Sequence, residues 1–274
     1  MPKLKKIPSA RLSLARLSFA RNDPALAAAA HTPEAIARAA NEQHGGAGSQ
    51  YIGDMVLGGL DGIITTFAVV SGVAGAELGA QVLLIMGMAN LLADGFSMGT
   101  GSFLSLKSER EYYKKEKERE AWEVEKFPEG EKRELFEIYR KQGYSAADAK
   151  KLVEINSKDP KRWVDTMMVE ELGMLPDERT PIRSAAATFT AFVLAGSIPL
   201  LVYLFGLAVP VPAATSFAVS LGMSAAALFA LGAAKVVVTH RNPLISGLEM
   251  LIVGSLAAGV AYVVGILLKG FVGG

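Results

Sequence analysis

The chain has 274 residues, 51% hydrophobic and 20% charged, with net charge +1, 28 glycines and no cysteine. Residues 184–234 carry no Asp, Glu, Lys or Arg, while residues 107–183 hold 18 of the 28 Lys+Arg and 19 of the 27 Asp+Glu. Charge gathered into blocks rather than spread along amphipathic elements excludes an ordinary cytosolic enzyme and marks a membrane protein with a soluble insert. The missing cysteines exclude disulfides, thiolate metal sites and a cysteine nucleophile. A near-zero net charge gives no reason to expect nucleic acid as a partner.

Residues 1–50 form a basic tail, expected to be disordered and cytoplasmic. Its first 22 residues lack acids, and RLSLARLSFAR resembles an organelle transit peptide, but no apolar core of signal-peptide length is present. EQHGGAGSQ (42–50) reads as a linker.

A spanning helix needs roughly 20 apolar residues to cross a bilayer core about 30 Å thick. Five segments qualify: about 52–76, 80–104, 184–209, 213–237 and 244–268. The first two carry ionisable residues, which are costly in lipid and so face a polar interior. Asp54 and Asp61 lie seven residues apart on one face of the first span. Asn90, Asp94 and Met98 form a four-residue-spaced stripe in the second. That stripe suits either a cation pathway or helix–helix hydrogen bonding with Met98 as filler. Gly58/Gly62 and Gly95/Gly99 are spaced as GxxxG, compatible with a dimer seam, an intrachain seam or both.

The insert opens with a helix over about 105–126, continuing the second span. On it Glu109, Glu116, Glu120 and Glu123 share an arc of roughly 60°. Glu111, Glu118 and Glu125 gather opposite, where Lys115 and Arg119 are spaced to offset them. FPEG (127–130) breaks this helix, and a second runs over about 130–142. SAAD (145–148) resembles a capping box that opens a third, and KRWVDTMMVEELGM after Pro160 reads as a fourth. Glu120/Glu123, Glu131/Glu134 and Met168/Glu171 repeat a three-residue spacing, with Met167 one turn before Glu171. A solvated, salt-bridged domain explains such acids; thioethers mixed with carboxylates fit a first-row divalent metal such as Fe²⁺. In the fifth span, Glu249 suits a snorkelling acid or a partner for Arg241, and His240 a solvated interfacial histidine.

Lys and Arg mark cytoplasmic flanks. The tail has seven, the insert 18, the connection after the fourth span Lys235 and Arg241, and the turns at 77–79 and 210–212 none. This predicts the N-terminus and insert inside and the C-terminus outside. The expected architecture is an all-α polytopic membrane protein. It comprises the tail (1–50), two spans (51–106), a cytoplasmic helical metal-binding domain (107–178) and three spans (179–274).

Four motifs, DGIITTFAVVSGVAGA (61–76), NLLADGFSMGTGSFLSLKSE (90–109), EREAWEVEKFPEGEKRE (118–134) and VDTMMVEELGM (164–174), occur in that order. Over about residues 50–270 the chain resembles the vacuolar iron transporter family, which exchanges Fe²⁺ for protons. The resemblance implies a homodimer with the ion path between subunits and a cytoplasmic domain that gathers metal. Its metal ligands here would be Glu120, Glu123, Glu131, Glu134, Met167, Met168 and Glu171. Its pathway residues would be Asp61 and Met98, with Asp54 nearer the cytoplasmic mouth. The plant-type pattern has a glutamate where this chain has Asn90, and GEY where it has Gly101-Ser102-Phe103; Asp94 would restore an acid one turn along. No paired Glu-x-x-His motif of a di-iron bundle is present in the tail. NLLADGFSM and HTPEAIARAAN look more bacterial than plant, implying a cell membrane rather than a vacuole.

The expected activity is export of Fe²⁺ from the cytosol against protons, with no enzymatic chemistry and no prosthetic group. Mn²⁺, Co²⁺ and Zn²⁺ are further candidate cargoes, and a manganese or broad-specificity exporter is the alternative. A non-transporting metal sensor or buffer is a third reading. An intramembrane aspartyl protease built on Asp61 and Asp94 would need its GxGD motif, and the contexts here are LDG and ADG.

Overall fold

The computed structural model describes residues 10–40, 49–234 and 242–272, all of them helix, turn or coil without a strand. Lys235, His240 and Arg241, and with them the Glu249–Arg241 pairing, lie outside the described residues, as does most of the expected linker. Within the tail, the described residues 10–40 are helical over most of their length. Helices α1 (Ala10–Arg21), α2 (Pro24–Ala30) and α3 (Pro33–Ala40) occupy it. Two local signals explain this. Asp23 accepts from the amides of Ala25 and Leu26 with Pro24 at the first helical position, and Thr32 Oγ1 accepts from Ala35 with Pro33 following.

Among the described residues, five helices are long and apolar enough to cross a membrane. They are α4 (Ile52–Gly75), α5 (Ala80–Lys126), α9 with α10 (Pro181–Gly196 and Leu201–Phe205), α11 (Ala213–Ala234) and α12 (Pro243–Val272). The third span is broken, which its hydropathy did not reveal. Pro199 has no amide to donate, and a short 3₁₀ turn at Ile198–Leu200 separates α9 from α10. Ser220 of α11 donates its hydroxyl to the Pro199 carbonyl at 2.7 Å, satisfying a group the break exposes.

The chain divides into two compact units, Met1–Gly95 with Ala187–Gly274, and Phe96–Ala186. In the first, α4 is the inner span, burying Gly58, Gly62, Ile63, Phe67 and Val70. A Cβ on Gly58 would collide with the Thr188 carbonyl of α9, and one on Gly62 with that of Phe192. The Gly58/Gly62 pair is therefore an intrachain seam. Gly95 likewise faces Phe189, Phe192 and Val193.

In the second unit, α6 (Pro128–Lys141), α7 (Ala146–Asn156) and α8 (Pro160–Glu170) join the charged end of α5. Leu135, Tyr139, Ala149, Val153, Trp163, Val164, Met167 and Met168 form their core with Val124. Ser145 caps α7 by accepting from the Asp148 amide, as the SAAD spacing predicts.

Candidate metal centre

Three separate elements deliver the acids of the insert. Glu120 lies on α5, Glu131 in the first turn of α6 and Glu171 at the C-terminal cap of α8. The reversal at Phe127-Pro128 sets the first two against each other, Phe127 packing edge-on against Trp122 at 5.5 Å. Gly173, at φ +65°, closes α8 in the left-handed region, and Met174 donates back to the Met168 carbonyl at 2.8 Å. That turn holds Glu171 at the helix end, aimed at the other two.

One carboxylate oxygen from each of Glu120, Glu131 and Glu171 lies within 4.8 Å of the others. Oxygens about 2.1 Å from one small divalent ion stand at most about 4.2 Å apart, so slight contraction would fit them to it. Glu120 is fully buried and Glu131 nearly so, and Oε2 of each lacks a hydrogen-bond partner among the described residues. Buried carboxylate oxygens without a donor are costly. Burial first, then the charge of Glu171, pushes the Glu120 carboxyl up to about 7. Burial and then Glu134 do the same to Glu131, also to about 7, and burial and Glu134 raise Glu171. A divalent cation would relieve both the desolvation and the repulsion.

The remaining expected ligands sit differently. Glu134 joins this set through its charge, and Glu123 is held by Arg119. Met167 and Met168 are fully buried in the apolar core, four and three residues before Glu171. Arg119 is the site residue that sequence reasoning misplaced. It does not offset Glu118 or Glu125, which pair with Lys114 and Lys126; it bonds Glu116, Glu120 and Glu123. Its three- and four-residue spacing to Glu116 and Glu123 was the available signal.

Within the spans, Asp54, Asp61, Asn90, Asp94 and Met98 are each half-buried. Asp61 and Asp94 both belong to the first unit. Thr65 folds back to donate to the Asp61 carbonyl at 2.8 Å.

The family model described as "VIT family" matches residues 52–266. The chain belongs to the VIT family. Among its VIT relatives, the vacuolar iron transporter of Toxoplasma gondii is 44% identical over 240 residues, 85% of this chain and 79% of that protein. The vacuolar iron transporter of Plasmodium falciparum is 35% identical over 224 residues, 78% of this chain and 81% of its own. Vacuolar iron transporter 1 of Arabidopsis thaliana is 35% identical over 223 residues, 81% of this chain and 87% of its own. All three relatives are eukaryotic, which gives no support to the expected bacterial cell membrane.

Proposed function

We propose that this VIT-family chain exports Fe²⁺ from the cytosol in exchange for protons, working as a homodimer. The observation that carries the reading is the convergence of Glu120, Glu131 and Glu171, two of them buried with an unpartnered oxygen, in a chain whose relatives are named iron transporters. The insert is the cytosolic collector, gathering metal before transport. The Lys and Arg distribution supports that sidedness, with the N-terminus inside and the C-terminus outside. The names of the relatives favour a vacuolar membrane as its location.

In the path itself Asp61 receives the metal, with Asp94 supplying a second acid where Asn90 does not. Met98 is the soft ligand that favours Fe²⁺ over Mg²⁺, which holds its water and prefers oxygen. Asp54, toward the cytoplasmic end of the same helix, is the approach to Asp61. Dimerisation supplies cover for the half-buried Asn90 and Asp94, which a lone copy leaves partly open to lipid. Mn²⁺ is the second reading for the cargo, because the acids that converge in the insert offer it oxygen.

The test is uptake of Fe²⁺, Mn²⁺, Co²⁺ and Zn²⁺ into proteoliposomes of the purified chain, with and without a pH gradient. Fe²⁺ flux that rises when the receiving side is acidic is the expected result. Binding without flux would make the chain a sensor or buffer, and flux indifferent to the gradient would remove the proton exchange.

A further inference from the structure

Arg119 places a cation inside the acid cluster. Its Nε lies 2.9 Å from Glu116 Oε2, one amino group 2.6 Å from Glu120 Oε1, and the other bonds Glu123. Glu120 is thus claimed twice: one oxygen accepts from the guanidinium, while the carboxylate also converges with Glu131 and Glu171. Glu116, one turn back along α5, stands outside that converging set. The guanidinium relieves the repulsion among the acids when no metal is near. An arriving divalent ion reverses the sign of its surroundings, since two cations now share one carboxylate. Nε holds Glu116 while the two amino groups hold Glu120 and Glu123, so the guanidinium has a carboxylate partner left when the other two are given up.

We infer that Arg119 is a resident competitor for the metal, displaced onto Glu116 when a divalent ion loads, and that this Arg119–Glu116 latch sets the loading threshold. The inference rests on reading Glu120, Glu131 and Glu171 as a metal site. It also gives the site a charge filter. A monovalent ion brings no more charge than the guanidinium it would displace, whereas a divalent ion brings twice as much.

The experiment is Mn²⁺ titration of the purified full chain by calorimetry at pH 8, in low and in high K⁺. Arg119→Gln should tighten Mn²⁺ binding roughly tenfold and make it more sensitive to K⁺. Glu116→Gln should weaken binding in the parent, because the displaced guanidinium loses its resting partner, and should have no effect in the Arg119→Gln background. Arg119→Lys keeps the charge without the fork and should fall between the parent and Arg119→Gln, which guards against a fold defect in the neutral variant. If Glu120→Gln and Glu131→Gln leave Mn²⁺ binding at the parent level, the metal site itself is wrong. If those variants lose binding while Arg119→Gln matches or falls below the parent, the site stands and the latch is wrong.

Discussion

Glu120 and Glu131 carry opposed demands, because the burial and closeness that would suit a metal make them poor neighbours for each other without one. With folded-state carboxyls at about 7 against an ordinary 4.5, both favour their protonated form in the metal-free fold. Their contribution to stability is therefore complete below pH 4.5 and is lost as the pH climbs through 7. Glu120→Gln and Glu131→Gln should each stabilise the metal-free insert by about 1–3 kcal/mol at pH 8 relative to the parent, with the difference vanishing near pH 4. Both tryptophans of the chain, Trp122 and Trp163, lie in the insert, so denaturant unfolding followed by tryptophan fluorescence reads that unit within the whole protein. A parent–variant difference that does not change with pH would sink the argument. Metal binding has the matching dependence, weakening as the pH falls through 7 because protons then hold the same oxygens.

At the scale of the helix, the small residues of α4 and α5 do different work. Gly58→Leu should drive a side chain into the α9 backbone and destabilise the membrane unit by about 1–3 kcal/mol or more. Ala89 and Leu92 are exposed on α5, and if the chain pairs through that face, cysteine there in this cysteine-free chain should crosslink two copies in the membrane. Retained stability in Gly58→Leu, measured by thermal inactivation in detergent, would return that glycine to the dimer seam. GxxxG legibly announced a close helix contact but not which partner makes it, since glycine spacing carries no address. Local chemistry was legible in the insert: FPEG ended a helix and Ser145 began one, because caps and prolines act within one turn. Two signals of the same kind elsewhere escaped. The break at Pro199 disappears into an average over apolar neighbours, and Asp23-Pro24 in the tail was outweighed by composition. The spacing of the acids proposed Glu120, Glu131 and Glu171 together, yet their convergence depends on how α6 and α8 pack around Leu135 and Trp163. Arg119 stands three and four residues from Glu116 and Glu123 but one and six from Glu118 and Glu125, so helical spacing favoured the set it bonds.

For the whole molecule, the proposed function makes collection and transport separable steps carried by different acids, and this gives the coupling mechanism its sharpest test. On that proposal the insert takes metal through Glu120, Glu131 and Glu171, whereas the exchange with protons is assigned to Asp61. A carboxylate that accepts either Fe²⁺ or a proton, but not both, converts a proton gradient into metal movement: protonation from the receiving side dislodges the ion there. Asp61→Asn keeps size and polarity but cannot ionise. It should fold, bind metal in the insert with parent affinity and move no Fe²⁺ into proteoliposomes. Glu131→Gln should do the reverse, losing insert binding while retaining slow, proton-driven flux at high external Fe²⁺, because the path acids remain. Asp94→Asn should lower flux, since the proposed path loses the second acid assigned to it. An Asp61→Asn variant that still transports Fe²⁺ with the pH profile of the parent would move the coupling away from this residue, whatever the insert binds.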